Sequence, residues 1–78
     1  MYYQNLGFSD STNFKIEVEG ELDNNLSENF GSLSISHKTN GDNTISCLKG
    51  EIIDQAELIG ILNTLYNMRF SIISVIKQ

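Results

Sequence analysis

One stretch limits the fold of this chain more than any other. "DQAELIGILNTLYNM", residues 54–68, repeats Leu58, Ile61, Leu62, Leu65 and Met68 at helical spacing, and Ile59 and Tyr66 widen the stripe on one flank. An apolar face that broad has to cover something, and in a chain of 78 residues it predicts a helix laid over a whole small sheet. At this length one domain is expected, with a modest core for which oligomerisation is a common remedy.

The sheet is legible as four strands. "FKIEVEGEL", 14–22, alternates strictly, with Phe14, Ile16, Val18 and Leu22 facing one way and Lys15, Glu17, Glu19 and Glu21 the other. Gly20 interrupts the apolar face, which predicts a bulge or a close backbone approach. "SLSISHK", 32–38, alternates again. "TNGDN" follows, in which Asn40-Gly41 marks a hairpin turn, and "TISCLKGEI", 44–52, is the return strand. Its facing is ambiguous, because Ile45 and Cys47 lie opposite Leu48 and Ile52; a bulge, or burial on both faces, would resolve it. "SIISVIK", 71–77, is a β-branched run with apolar residues on both faces, read as a strand. Residues 23–31 form a loop with at most one helical turn, and 1–13 read as a flexible N-terminal arm carrying Tyr2, Tyr3, Leu6 and Phe8.

The expected fold class is therefore α+β: a four-stranded, largely antiparallel sheet with one helix packed on one face. The order β-loop-β-β-α-β over residues 14–78 describes a trimmed ferredoxin-like sandwich. A right-handed crossover through the helix sets the last strand parallel to the one ending near Ile52.

Composition excludes more than it assigns. The net charge is −5, and Lys15, Lys38, Lys49, Arg69 and Lys77 are scattered, so neither nucleic acid nor an anionic membrane surface is an expected partner. One cysteine, Cys47, excludes an internal disulfide and makes a cysteine-based zinc site improbable. The opening "MYYQNLGFSD" lacks the basic start and apolar run of a signal peptide, and no stretch has the length of a membrane span. The expected location is cytoplasmic.

Each candidate for chemistry has a structural explanation. Glu51, Asp54 and Glu57 recur every three residues. Asp54 fits the helix N-cap, with Glu57 at N3 reaching back to the Asp54 N–H, and Ile53 with Leu58 as a hydrophobic staple; Glu51 sits in the strand before. The row Glu17, Glu19, Glu21 reads as a solvated sheet face. Asp23, Asn25 and Ser27 imitate the start of a calcium loop, but Glu28 stands where the sixth-position Gly is needed. His37, the only histidine, reads as solvent-facing near the hairpin tip. Cys47 lies ten positions on, around a turn centred near 41 to 42, which makes the two approximate cross-strand neighbours; a single strand cysteine reads as a small core residue. Gly60, inside the helix, is read as a point of close packing within the monomer. No catalytic, cofactor-binding or metal-binding residue is assigned, no cofactor is expected, and an enzyme is the least favoured class.

Leu48, Gly50, Asp54, Gln55, Ala56, Leu58, Gly60, Leu62 and Ser74-Val75 together resemble the end of many short bacterial proteins with no established function. The resemblance implies a fold unit rather than an activity. Relatives often carry Gly where Arg69 stands, at a left-handed position past the helix; either the helix ends differently here, the favoured reading, or Arg69 is held in that conformation by a partner. The functional expectation is a small non-enzymatic domain that self-associates, a dimer being favoured, or that binds a protein partner. The alternative is a small-molecule-sensing regulatory module with a ligand pocket at a dimer interface.

Overall fold

The structure, a computed structural model, describes residues 11–78; the aromatic arm expected at the N-terminus lies outside the described residues apart from its last three. Thr12 and Asn13 already belong to the first strand, β1, Thr12–Glu19. A 3-10 helix, Asn24–Phe30, precedes the hairpin of β2, Ser34–Asn40, and β3, Asn43–Ile52. The helix α1 runs Gln55–Asn67 and β4 runs Ser71–Lys77.

The sheet order is β2-β3-β1-β4, and every neighbouring pair is antiparallel. β1 separates β3 from β4, so those two run parallel to each other with α1 carrying the chain between them. β1 and β2 are likewise parallel, separated by β3. This is the ferredoxin-like arrangement of two interleaved crossovers, with the first helix reduced to the seven-residue 3-10 segment.

Among the described residues, only one face of the sheet is covered. Phe14, Ile16 and Val18 from β1 and Leu48 and Ile52 from β3 pack with Leu58, Ile61, Leu62 and Leu65 of α1, all buried. Each such side chain contributes roughly 1.5–3 kcal/mol relative to exposure. Leu22, Phe30 and Leu33 close the end of this core left open by the missing first helix. The ambiguity of β3 resolves without a bulge in that strand. Its register against both neighbours is continuous, with Ser46, Leu48 and Ile52 under the helix and Ile45 and Cys47 on the other side, half-buried. The one register irregularity falls instead between Glu17 and Val18 opposite β4, where Ser74 and Ile72 pair with consecutive residues of β1. That shift is why Ile72 and Val75, an odd number of residues apart, both lie opposite core residues of β1 and pack against the core.

The loop between β1 and the 3-10 helix is held by side chains. Buried Ser46 donates from Oγ to the Gly20 carbonyl (2.6 Å) and accepts the Leu22 N–H (2.8 Å). His37 Nε2 donates to the Leu22 carbonyl (2.6 Å). Both backbone groups of Leu22 are thus satisfied from the hairpin, and its side chain is free to enter the core. Gly20, at φ +116°, lies under the Phe70 ring, where a Cβ would come within 3.1 Å of the ring edge; the close approach expected of this glycine is real.

The hairpin loop is Gly41-Asp42, with Asn40 already paired to Asn43, so the turn is centred where the sequence places it. Gly41 alone takes positive φ (67°), as in a II′ turn. Two local expectations are corrected. The helix does not end differently at Arg69. Arg69 itself takes the left-handed position (φ 68°), and Arg69 N–H to Tyr66 O (2.9 Å) and Phe70 N–H to Leu65 O (3.1 Å) complete a Schellman motif. Gly60 is not a packing contact; it is exposed, and a Cβ there would meet nothing within 4 Å.

Two substitutions test this reading by urea denaturation. Ser46→Ala strands a buried N–H and a carbonyl and should cost about 1–3 kcal/mol; no loss would mean the loop is held by other means. Arg69→Gly relieves the left-handed strain and should gain up to about 1 kcal/mol, offset in part by added freedom of the unfolded chain. A net loss would show that the Arg69 side chain supplies a contact worth more than the strain.

Candidate interaction surface

Strand alternation decides what faces away from α1. The cross-strand rows on that side are Ser34–Lys49–Lys15–Ile76, Ser36–Cys47–Glu17–Ser74 and Lys38–Ile45–Glu19–Ser71. No helix or loop among the described residues forms a second layer over them. The face is a mixed one. Lys15 and Lys49 stand directly opposite each other, a like-charge pair that is unfavourable in isolation. Ile76 flanks them on β4, about half exposed.

Glu17 is the centre of this surface. Its Oε2 takes an ion pair from Lys38 Nζ at 2.8 Å, reaching across β3, and its Oε1 accepts the Ser74 hydroxyl at 3.2 Å. The Glu17 side chain is only 15% exposed. The Lys38 hydrogen bond holds its carboxyl below the usual glutamate range, with the Ser74 hydroxyl and Lys15 acting in the same direction. Lys38 is raised in turn, chiefly by the same bond. The acidic row is therefore not uniformly available to a cation: Glu17 is committed to the sheet, and of the β1 acids Glu19 alone stays exposed. Sequence reading missed Lys38 as its partner, although its place two residues beyond Ser36 on an alternating strand put it on this face.

His37 and Cys47 are not partners. Cys47 pairs with Ser36, and His37 with Ser46. The one-residue difference sends the two side chains to opposite faces, because the side-chain period of a strand is two. His37 serves the Leu22 carbonyl under the sheet, and Cys47 is a half-exposed free thiol on the outer face rather than a core residue.

The three carboxylates before α1 also separate. Asp54 Oδ1 accepts the Glu57 N–H at 2.9 Å, as an N-cap does. Glu57 reaches back to the Ile53 N–H (2.9 Å), one residue earlier than expected, and its other oxygen lies against Gly31. Ile53 is 59% exposed, so the staple with Leu58 is not formed. Asp23 Oδ1 accepts the Asn25 N–H (2.9 Å) and caps the 3-10 helix. Among the described residues no group of three or more His, Cys, Asp or Glu side chains is placed to hold a metal ion. Among the open concavities of the described residues, one is lined by Tyr66, Asn67, Arg69, Phe70 and Ser71 past the helix, another by Glu21, Leu22, Asp23, Asn24 and His37, and a third by Asn24, Leu33, Ser34 and Ile35. No helix among the described residues is long and apolar enough to cross a membrane.

The architecture and this surface define a ferredoxin-like α+β domain with one covered and one open sheet face. Residues 13–76 match a family described as "Domain of unknown function (DUF8691)", and the chain belongs to that family. No curated protein and no solved structure matches it.

The Glu17 geometry has a pH consequence. A carboxyl whose folded pKa is depressed stabilises the fold above its unfolded pKa, near 4.3, and that contribution is lost as pH falls through the folded value. Wild type should therefore lose more stability than Glu17→Gln when chemical denaturation is repeated from neutral pH down to about 3. Parallel loss in the two proteins would show that the Glu17–Lys38 pair contributes nothing to the fold.

Proposed function

We propose that this chain is a small non-enzymatic domain that works by association, with a second copy of itself or with another protein. The observation that carries this reading is the open face of the sheet. A two-layer domain this small buries its core on one side only, and here the other side bears half-buried Ile45 and Cys47 and exposed Ile76 beside a close pair of lysines. A partner covering that face would bury the apolar groups and supply counter-charges to Lys15 and Lys49. A cytoplasmic setting goes with a free thiol at Cys47. The small-molecule-sensing alternative is weaker, because these concavities are open at the surface of the single chain and a closed pocket would have to be built between copies.

Sedimentation of the full chain tests the first form of this reading. A dimer should be populated at roughly tens of micromolar, an affinity ordinary for small interfaces. A strict monomer over that range would remove self-association and leave only a heterologous partner.

A further inference from the structure

We propose that the two copies join through β4, their edges pairing antiparallel about a two-fold axis to make one continuous eight-stranded sheet. This rests on the self-association reading above but places the contact at the sheet edge rather than over the open face.

Among the described residues the sheet has two edges, β2 and β4, and they differ in chemistry. β2 is "SISHKTN": apart from half-buried Ile35 its side chains are polar or charged, with Lys38 drawn across the outer face to Glu17. A polar edge bearing lysine is a usual guard against strand addition. β4 is "SIISVIK", which carries one charge, Lys77, at its end. Its Ile73 and Ile76 are 51% and 48% exposed, two of the four large apolar side chains left open to solvent among the described residues, and a third, Tyr66, borders the start of the same strand. The register shift opposite Glu17 and Val18 interrupts β4 near Ile73, leaving Ser74–Lys77 as its regular pairing segment.

Charge selects the occupant. All ten acidic residues precede residue 58; from Leu58 to Gln78 there is no carboxylate side chain, and Arg69 and Lys77 are the only charged side chains. Two copies of a chain carrying −5 repel each other, and the repulsion is smallest where neither brings an acid. β4 lies within that acid-free segment, and of the acids on its neighbour β1, Glu17 is already paired with Lys38, which leaves Glu19 opposite Ser71 as the one exposed carboxylate of that strand. An antiparallel edge is also self-complementary under a two-fold axis, since each copy presents the same donors and acceptors in reverse order.

The test uses the full chain and three variants. Ile73→Lys and Ile76→Lys place charge at the edge on residues already exposed, so folding is checked by circular dichroism and should be retained. Lys49→Glu changes the middle of the open face, away from the edge. The dimer dissociation constant should rise at least about tenfold in each isoleucine variant and stay within about threefold in Lys49→Glu. Amide hydrogen exchange, followed from micromolar to a few hundred micromolar protein, should show β4 gaining protection with concentration while β2 does not. A dimer that survives both isoleucine variants, or that protects β2 instead, overturns the edge assignment and leaves self-association standing. A wild type that stays monomeric overturns both.

Discussion

Everything in this fold depends on β1 being the central strand buried on one face. Phe14, Ile16 and Val18 alternate with polar residues, and the three lie in the floor of the core, under α1. Pairing β1 antiparallel to both β3 and β4 forces those two to run parallel, so the link between them has to cross over the sheet. With 13 residues, α1 spans that crossing and supplies the apolar face that makes the burial worthwhile. The amphipathic helix and the alternating strand thus require each other.

The missing first helix is replaced by hydrogen bonds rather than by a second apolar layer. A short 3-10 segment cannot cover half a sheet, and the chain compensates by drawing Leu22, Phe30 and Leu33 into the gap. Turning Leu22 inward leaves its N–H and C=O in need of partners, and Ser46 and His37 provide them from neighbouring strands. A buried serine in the middle of an otherwise apolar strand face has its explanation in that loop. Gly50, opposite Phe14 on the same face, leaves the room into which Ser32 and Leu33 pack, since a Cβ there would come within 3.0 Å of the Ser32 carbonyl.

Much of this is legible in the sequence, because the signals are local. The strands, the helix from its Asp54 cap onward and the approximate hairpin come from side-chain period and from which residues tolerate a turn or a cap. The misreadings come from register and environment. The loop is two residues, Gly41-Asp42, so His37 pairs with Ser46; a pairing with Cys47 would need a third loop residue, and that difference puts the two on opposite faces. Propensity alone argues against a left-handed Arg69, but the chain must reverse there so that Phe70 can cover Gly20. Gly60 has the look of a packing contact, and only the placement of α1 shows that its side of the helix faces outward.

The sequence by itself determined the fold class, the element order and the identity of most of the core, because period and capping are properties of short segments. The tertiary structure decided which chemistry is present at the surface. Lys38 meets Glu17 across an intervening strand, His37 is taken up by a carbonyl fifteen residues away, and β4, not β2, presents the apolar edge. These outcomes depend on strand order and on a single register shift. Neither is written in any one segment, because each arises from pairing between parts of the chain that are distant in sequence.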